Sequence, residues 1–163
     1  MDKAQLAGRI KEAAYLEGDF VLRSGKRSKY YLDKYLFSAQ PDILAELGER
    51  FAEKASQFEN VEVIAGPEVG AVSLAAATSM ASGLPCTIVR KAAKDYGTAK
   101  LVEGSPVEGK RVLLVEDIGT TAGAALQAAE TLTKAGATVL GLVFAIDRME
   151  GARENVEAAG YRF

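Results

Sequence analysis

Residues 111–124 read RVLLVEDIGTTAGA, and they place two acids and two hydroxyls directly after a short apolar run. The apolar run predicts a buried strand, and the small residues after it predict a loop that enters a helix near Gly123. Backbone N–H groups of such a loop can approach an anion closely, and a helix N-terminus adds a favourable partial charge. Thr120 and Thr121 add hydroxyl donors. The segment therefore predicts a site for a phosphate monoester.

The two acids, Glu116 and Asp117, require a different kind of partner, because like charges keep them away from a phosphate. Carboxylates in a partly buried site need hydrogen-bond donors, and the vicinal hydroxyls of a sugar would supply them. We therefore interpret the whole segment as a site for a ribose 5-phosphate. From these residues alone, a helix N-cap with two solvated acids is an equally good interpretation.

A second group of charged residues lies in VRKAAKDYGTAKLVEG, at 89–104. Its cations are Arg90, Lys91, Lys94 and Lys100. The segment contains glycines and few apolar residues, so it predicts a loop after an apolar strand. It is either a solvated surface loop, as most charge runs are, or a segment that binds an anion larger than one phosphate and closes over it.

The composition excludes several classes of function. The 163 residues contain no histidine, which removes histidine-based acid–base chemistry, Ser-His-Asp and Cys-His nucleophiles and most zinc sites. Cys86 is the single cysteine, so no internal disulfide forms, as in a reducing compartment. The net charge of −2 gives no global field for nucleic acid or an anionic membrane. We expect a cytoplasmic protein without a membrane span.

The elements that must position these residues follow two different patterns. Residues 3–16 have helical periodicity, FVLRSGKRSKYYLD at 20–33 is typical of a hairpin, and Pro41 opens a second helix. From residue 61 onward, β-branched runs alternate with the helix-like segments GAVSLAAATSMASG and GAALQAAETLTKAG. This alternation predicts right-handed crossovers and a parallel sheet covered on both faces. We expect one α/β domain, 1–163, with a small N-terminal appendage.

Ligands of such sheets bind beyond the carboxyl ends of the strands. Three segments lie at such ends, and they are GPEVGA at 66–71, RKAAKDYG at 90–97 and EDIGTTAGA at 116–124. They are the candidate binding segments of the chain.

The motifs together resemble a known family. The apolar run, acid pair and Thr-Thr-Ala-Gly loop resemble the phosphoribosyl-pyrophosphate signature of type I phosphoribosyltransferases. RKAAKDYGTAKLVEG resembles the mobile catalytic loop of the orotate phosphoribosyltransferase branch, FVLRSGKRSKYYLD its N-terminal hood, and AIDRMEGARE its late strand with an Asp-Arg pair. The resemblance implies the parallel-sheet type I fold, with a hood at approximately 1–40 and a core at approximately 41–163.

The resemblance also implies a reaction, transfer of ribose 5-phosphate from phosphoribosyl pyrophosphate to orotate, with Mg²⁺ bound mostly through substrate oxygens rather than by the protein. The residues implied to bind phosphoribosyl pyrophosphate are Arg23, Arg90, Lys91, Lys94, Tyr96, Glu116, Asp117, Ile118, Gly119, Thr120, Thr121, Ala122, Gly123 and Ala124. Those implied to bind orotate are Tyr31, Leu32, Thr120 and Arg148. Lys94, Asp117 and Glu116 would be catalytic. The resemblance further implies a homodimer in which Lys94 and Tyr96 reach the neighbouring subunit's site.

The chain departs from the family pattern at several positions. Tyr96 stands where many members have His, and Glu116 replaces the commoner first Asp of the acid pair. GPEVGA has no lysine, which some bacterial members carry there, and the family usually adds another strand after GYRF. None of these departures removes a charge from the implied ribose site.

Two alternative functions are compatible with parts of the sequence. A phosphoribosyltransferase for a purine or another pyrimidine would share the fold, but the hood and Arg148 favour an anionic base such as orotate. A non-catalytic regulator of the same fold would sense nucleotides and bind RNA. It would need a basic face, which the near-neutral composition does not favour.

Overall fold

The computed structural model of the chain describes residues 1–22, 25–92 and 100–163. The chain divides into two compact units, Met1–Glu46 and Leu47–Phe163. Three of the predicted site residues, Arg23, Lys94 and Tyr96, lie outside the described residues. The single domain with a hood at approximately 1–40 stays a prediction.

The N-terminal unit consists of short helices and one hairpin. Its elements are α1 (Lys3–Ala14), β1 (Tyr15–Val21), β2 (Arg27–Leu32), α2 (Lys34–Ser38) and the start of α3 (Pro41–Ala55). Helix α1 begins with a capping box, in which the side chains of Asp2 and Gln5 each accept the other's backbone N–H. The hairpin predicted at 20–33 is confirmed, although its first strand begins earlier, at Tyr15.

Helix α2 was not predicted, because it is only five residues long and has no periodicity to detect. Its start is nevertheless defined by Asp33, whose Oδ1 accepts the Tyr35 N–H at 2.9 Å. Phe37 on this helix is fully buried. It joins Leu6, Ile10, Ala14 and Ile43 as buried apolar side chains of this unit.

The C-terminal unit contains the sheet. After the rest of α3 come β3 (Val63–Pro67), α4 (Val72–Ser82), β4 (Cys86–Val89), β5 (Val102–Gly104), β6 (Arg111–Gly119), α5 (Gly123–Lys134), β7 (Thr138–Asp147) and α6 (Ala152–Ala158). Among the described residues the sheet has the order β5-β4-β3-β6-β7. The predicted α/β fold is confirmed, and three of the four strand pairings of this sheet among the described residues are parallel.

Strand β5 corrects the prediction of an entirely parallel sheet, because it runs antiparallel to β4 at the edge. Its three residues stand in a polar segment, so no apolar run indicates a strand. Pairing with β4 instead defines it, and the Thr87 hydroxyl adds a hydrogen bond of 2.8 Å to the Glu103 carbonyl. Pairing with a neighbouring strand therefore determines the structure of this segment, whose own sequence does not favour a strand.

The core of this unit lies between the sheet and its helices. Residues Val63–Pro67 of β3 and Val112–Val115 of β6 are all buried, as the β-branched runs predict. Helix α4 packs so closely on β3 that a Cβ at Gly66 would lie 2.6 Å from the Ala71 carbonyl oxygen. The first glycine of GPEVGA therefore permits the close packing of a helix on the sheet.

The last residues of the chain lie beside β7. Arg162 forms a parallel bridge with Gly141, and Phe163 stacks on Phe144 with ring centroids 5.1 Å apart. In this chain the bridge at Arg162 extends the β-pairing at that edge by a single residue.

Candidate functional site

The parallel strands bring the candidate segments to one edge of the sheet. Pro67 pairs with Val89 at the ends of β3 and β4, and Gly119 pairs with Asp147 at the ends of β6 and β7. A candidate binding segment or a predicted site residue follows each of these four strand ends. The carboxyl edge of the sheet is therefore the candidate functional site.

The acid pair lies in β6 and is buried, with Glu116 8% and Asp117 2% exposed. The Asp117 N–H donates to Glu116 Oε1 at 3.0 Å, and the Ile118 N–H donates to Asp117 Oδ1 at 2.6 Å. Each carboxylate thus accepts the backbone N–H that follows it. These bonds orient both acids and help to offset the cost of burying charge. The alternative of two solvated acids is wrong.

The loop after β6 has the form expected of an anion site. Thr120 and Thr121 are exposed, and Ala122 adopts a left-handed conformation with φ 62° and ψ 16° before α5 begins. No side chain of the described residues caps the start of α5. The N–H groups of its first turn can therefore bind an anion. Because a non-glycine residue is strained at such a φ, the surrounding contacts must hold the loop in place.

Helix α6 and the end of β7 supply those contacts. The Asn155 side-chain amide donates to the Thr121 carbonyl at 2.9 Å, and the Arg148 N–H donates to the Gly119 carbonyl at 2.9 Å. A Cβ at Gly119 would lie 3.1 Å from the Ala152 Cβ, so this glycine allows α6 to approach. Sequence reasoning missed Asn155, because a single polar residue on a short helix carries no motif.

Arg148 follows the residue that pairs with Gly119, so it lies beside Thr120 at the ends of two neighbouring strands. Its guanidinium Nη2 is 3.0 Å from Glu150 Oε1, and its side chain is 27% exposed. The Met149 N–H donates to Asp147 Oδ1 at 2.8 Å, which fixes the turn around Arg148. The structure thus places a half-buried cation next to the loop after β6. Sequence reasoning missed its partner Glu150.

Arg90 and Lys91 follow β4 at the same edge. The Arg90 N–H donates to the Leu101 carbonyl at 2.7 Å, so β4 and the start of β5 hold this residue in place. Both residues contact Glu68, which belongs to the GPEVGA loop after β3. Sequence reasoning singled out the loop but assigned no role to its glutamate.

The remaining predicted residues lie in the N-terminal unit or outside the described residues. Tyr31 and Leu32 lie on β2 of the N-terminal unit, where the Tyr31 ring is 5.7 Å from the Phe20 ring. Their assignment to orotate stays a prediction, as do the roles of Arg23, Lys94 and Tyr96.

None of the helices in the described part of the chain has both the length and the apolar character of a membrane span. Residues 1–22, 25–92 and 100–163 contain no cluster of three or more acidic or cysteine side chains suited to a metal ion.

Comparison with known proteins gives consistent results. The family model for the phosphoribosyl transferase domain matches residues 37–159. Orotate phosphoribosyltransferase from Pyrococcus horikoshii is 44% identical over 155 residues, which are 94% of this chain and 83% of that protein. A crystal structure of the Mycobacterium tuberculosis orotate phosphoribosyltransferase is similar with a TM-score of 0.90 and 35% identity, covering 99% of this chain and 93% of that one.

A second crystal structure of the Mycobacterium tuberculosis enzyme was solved in complex with 5-phospho-α-D-ribosyl 1-diphosphate. Its TM-score is 0.86 at 32% identity, and it covers 99% of this chain and 93% of that chain. The likeness therefore includes a protein that was solved with a pyrophosphorylated ribose phosphate.

Proposed function

The chain belongs to the phosphoribosyltransferase family, and from this premise we propose that it is an orotate phosphoribosyltransferase. It transfers ribose 5-phosphate from phosphoribosyl pyrophosphate to orotate and gives orotidine 5′-phosphate and pyrophosphate, a pentosyl transfer of pyrimidine biosynthesis. The observation that carries the proposal is the buried acid pair directly before an uncapped helix start. The names of the most similar relatives support orotate over another base.

The ribose 5-phosphate end of the site is formed by β6 and the loop after it. The N–H groups and hydroxyls of residues 120–124 bind the phosphate, together with Ile118 and Gly119 as the residues that lead into the loop. Glu116 and Asp117 accept hydrogen bonds from the ribose hydroxyls. Because their backbone bonds already orient them, little reorganisation accompanies substrate binding.

The orotate end includes Thr120 and Arg148. Orotate carries a carboxylate, and a guanidinium can bind a carboxylate through two parallel hydrogen bonds. Glu150 now occupies one face of that guanidinium, so orotate has to share or replace this contact. An uncharged base can accept only a weaker hydrogen bond from Arg148, so this end of the site favours orotate.

The pyrophosphate end includes Arg90 and Lys91. As the bond at the ribose anomeric carbon breaks, the ribose gains oxocarbenium character and the leaving pyrophosphate gains negative charge. Fixed cations that stabilise this charge lower the barrier, each by about 3 kcal/mol on the scale of a lost oxyanion-hole donor. The family resemblance adds Arg23, Lys94 and Tyr96 to this end, with Lys94 as a catalytic cation.

Magnesium is part of the proposal as an ion that arrives with the substrate. Mg²⁺ prefers oxygen ligands and usually keeps substrate phosphates and waters among them. Glu116 and Asp117 remain the partners of the ribose hydroxyls, and the ion would be bound mostly through substrate oxygens. Bound Mg²⁺ neutralises part of the charge on the pyrophosphate.

Assembly and location complete the proposal. We propose a homodimer in which Lys94 and Tyr96 of one subunit serve the site of the other, as the family resemblance implies. A cytoplasmic location is supported by the single cysteine, which cannot form an internal disulfide.

The test is a base panel. The protein is incubated with Mg²⁺, phosphoribosyl pyrophosphate and either orotate, uracil, adenine or hypoxanthine, and both nucleotide and pyrophosphate are quantified. We expect orotidine 5′-phosphate and equimolar pyrophosphate with orotate alone. Turnover of another base instead would contradict the assignment to orotate. Binding of RNA without turnover of any base would indicate the regulator.

A further inference from the structure

The GPEVGA loop carries an acid at the cation-rich end of the site. Glu68 follows β3 directly, and its N–H donates to the Val89 carbonyl at 2.9 Å, so it continues the pairing of β3 with β4. A carboxylate at this place is unexpected, because it repels the pyrophosphate that the neighbouring cations are proposed to bind. Its contacts indicate why the site contains it.

The two carboxylate oxygens of Glu68 contact two consecutive residues, Arg90 and Lys91. Oε1 accepts the Lys91 N–H at 2.7 Å, and Oε2 lies 3.7 Å from Arg90 Nη1. The first contact is a strong hydrogen bond to the backbone, and the second is an ion pair without hydrogen-bond geometry. The Glu68 side chain is 23% exposed and that of Arg90 is 30% exposed, so water screens the pair only in part.

These contacts fix two properties of the segment that follows β4. The bond to the Lys91 N–H sets the direction in which the backbone leaves the strand. The ion pair, together with the hydrogen bond of 3.2 Å from Arg90 Nε to the Ala92 carbonyl, restricts a side chain that otherwise has many rotamers. A guanidinium has five N–H donors, so restriction through Nε and Nη1 is compatible with anion binding through Nη2.

We propose that Glu68 is a positioning residue for pyrophosphate, which it serves by holding Arg90 and the Lys91 backbone in their binding arrangement. The inference rests on the proposed function, since that function supplies the pyrophosphate. Preorganised cations stabilise a leaving group at less cost than cations that must first be ordered. Both carboxylate oxygens already have partners, the Lys91 N–H and the Arg90 guanidinium, and these partners offset part of the repulsion.

If Glu68 had a competing role, its removal would change the affinity for pyrophosphate in the opposite direction. If Glu68 competed with pyrophosphate for Arg90, removal of its charge would tighten pyrophosphate binding. If Glu68 positions Arg90 and Lys91, its removal weakens that binding. The direction of the change in affinity therefore separates the two roles.

The experiment compares Glu68→Ala and Glu68→Gln with Glu62→Gln as a matched control. Glu62 lies just before β3, the strand that Glu68 follows. Its carboxylate likewise accepts a backbone N–H, from Arg111 at 3.0 Å, and a hydrogen bond from a cation, Lys110 Nζ at 2.9 Å. Each variant is titrated calorimetrically with pyrophosphate and Mg²⁺, and the KM values for both substrates are measured by turnover. Thermal melting checks that each variant is folded.

We expect Glu68→Ala to raise the Kd of pyrophosphate and the KM of phosphoribosyl pyrophosphate about tenfold, on the scale of a lost charge-assisted hydrogen bond. The KM of orotate should stay unchanged. Glu68→Gln keeps an oxygen for the Lys91 N–H and should recover part of the affinity. Glu62→Gln should leave all three constants at their wild-type values.

Unchanged or tighter pyrophosphate binding in folded Glu68→Ala and Glu68→Gln overturns the inference. So does an equal rise in the KM of orotate, which would show a general structural role. A wild-type protein that does not turn over orotate overturns the proposed function instead. The calorimetric titration then still measures whether Glu68 positions a pyrophosphate site.

Discussion

The acid pair of β6 is positioned by hydrogen bonds to the backbone of the neighbouring residues. Glu116 and Asp117 each accept the N–H of the next residue, so their orientation depends on the strand and not on a distant side chain. A substitution that keeps one oxygen in place can therefore remove the charge without disturbing the backbone. This separates the chemical contribution of each acid from its contribution to folding.

Asp117→Asn is the first prediction at the scale of single residues. Asparagine keeps an oxygen for the Ile118 N–H and nearly the same volume, so the melting temperature should change little. Loss of the charge that faces the ribose hydroxyls should lower kcat/KM about a hundredfold, comparable to a lost oxyanion-hole donor. Steady-state kinetics and thermal melting measure both effects. Near-normal turnover in the folded variant would show that Asp117 does not hold the ribose.

Arg148→Ala tests the orotate end of the site. The variant should raise the KM of orotate thirty- to a hundredfold, or roughly 2–3 kcal/mol, while the KM of phosphoribosyl pyrophosphate changes little. Arg153→Ala is the control, because it removes an arginine that instead packs 4.3 Å over the Phe163 ring. Equal losses for both substrates would show that Arg148 has a structural role.

At the scale of elements, α6 holds the phosphate loop in its strained conformation. The strands that end at the site are predictable from their β-branched runs, and α4 and α5 from their alanine-rich helical pattern. Strand β5 and the bracing contact of Asn155 are not, since both depend on partners that are distant in sequence. Sequence reasoning therefore predicted which segments lie at the edge of the sheet, and it missed the contacts that shape them.

Asn155→Ala should loosen this loop. The lost hydrogen bond to the Thr121 carbonyl should raise the KM of phosphoribosyl pyrophosphate about three- to tenfold, the scale of one neutral hydrogen bond. Asn155→Asp should cost more, because it removes the donor and adds a negative charge near the phosphate. Glu154→Ala on the same helix is the control. If both Asn155 variants bind the substrate as the wild type does, the loop does not depend on α6.

The opposite end of the sheet contributes stability that depends on pH. The pKa of Glu62 lies below its ordinary value of 4.5, because its carboxylate accepts a hydrogen bond from the Lys110 side chain and another from the Arg111 N–H. The unfolded chain therefore binds more protons than the folded one as the pH falls through 4.5. This contribution is fully present above that pH and is lost as the pH falls through the folded-state value.

Glu62→Gln should accordingly lower the melting temperature slightly near neutral pH. The difference from the wild type should shrink as the pH falls from about 7 to about 3, because the wild-type carboxylate becomes protonated. Melting curves across this range measure it. A difference that stays constant, or grows in acid, would show that the ion pair does not stabilise the fold.

At the scale of the whole molecule, the proposed dimer makes each site depend on two chains. The fold class and the order of the site segments follow from sequence periodicity and motifs. Which subunit supplies Lys94 does not follow from them, because the sequence of one chain does not show which subunit of a dimer a residue contacts. In the proposed two-fold dimer, each Lys94 would serve the acid pair of the other subunit.

Hybrid dimers test this arrangement. Lys94→Ala and Asp117→Asn homodimers should each be nearly inactive, whereas co-folded mixtures should regain activity. Random mixing makes about half of the dimers hybrid, and each hybrid has one intact site, so roughly a quarter of wild-type activity should return. Turnover of the mixtures and of each parent is the measurement. Mixtures as inactive as the parents would show that Lys94 acts within its own chain.

The antiparallel pairing of β4 with β5 has a consequence for how this chain can change in evolution. It joins Arg90 to Leu101 by a backbone hydrogen bond, so the sheet itself fixes both ends of the segment 91–100. Closing a chain between fixed ends costs entropy that grows slowly, by about 0.6 kcal/mol for each doubling of length. A longer connection between these two fixed ends would therefore weaken folding only slightly. Selection on the length of this connection would then act mainly through turnover.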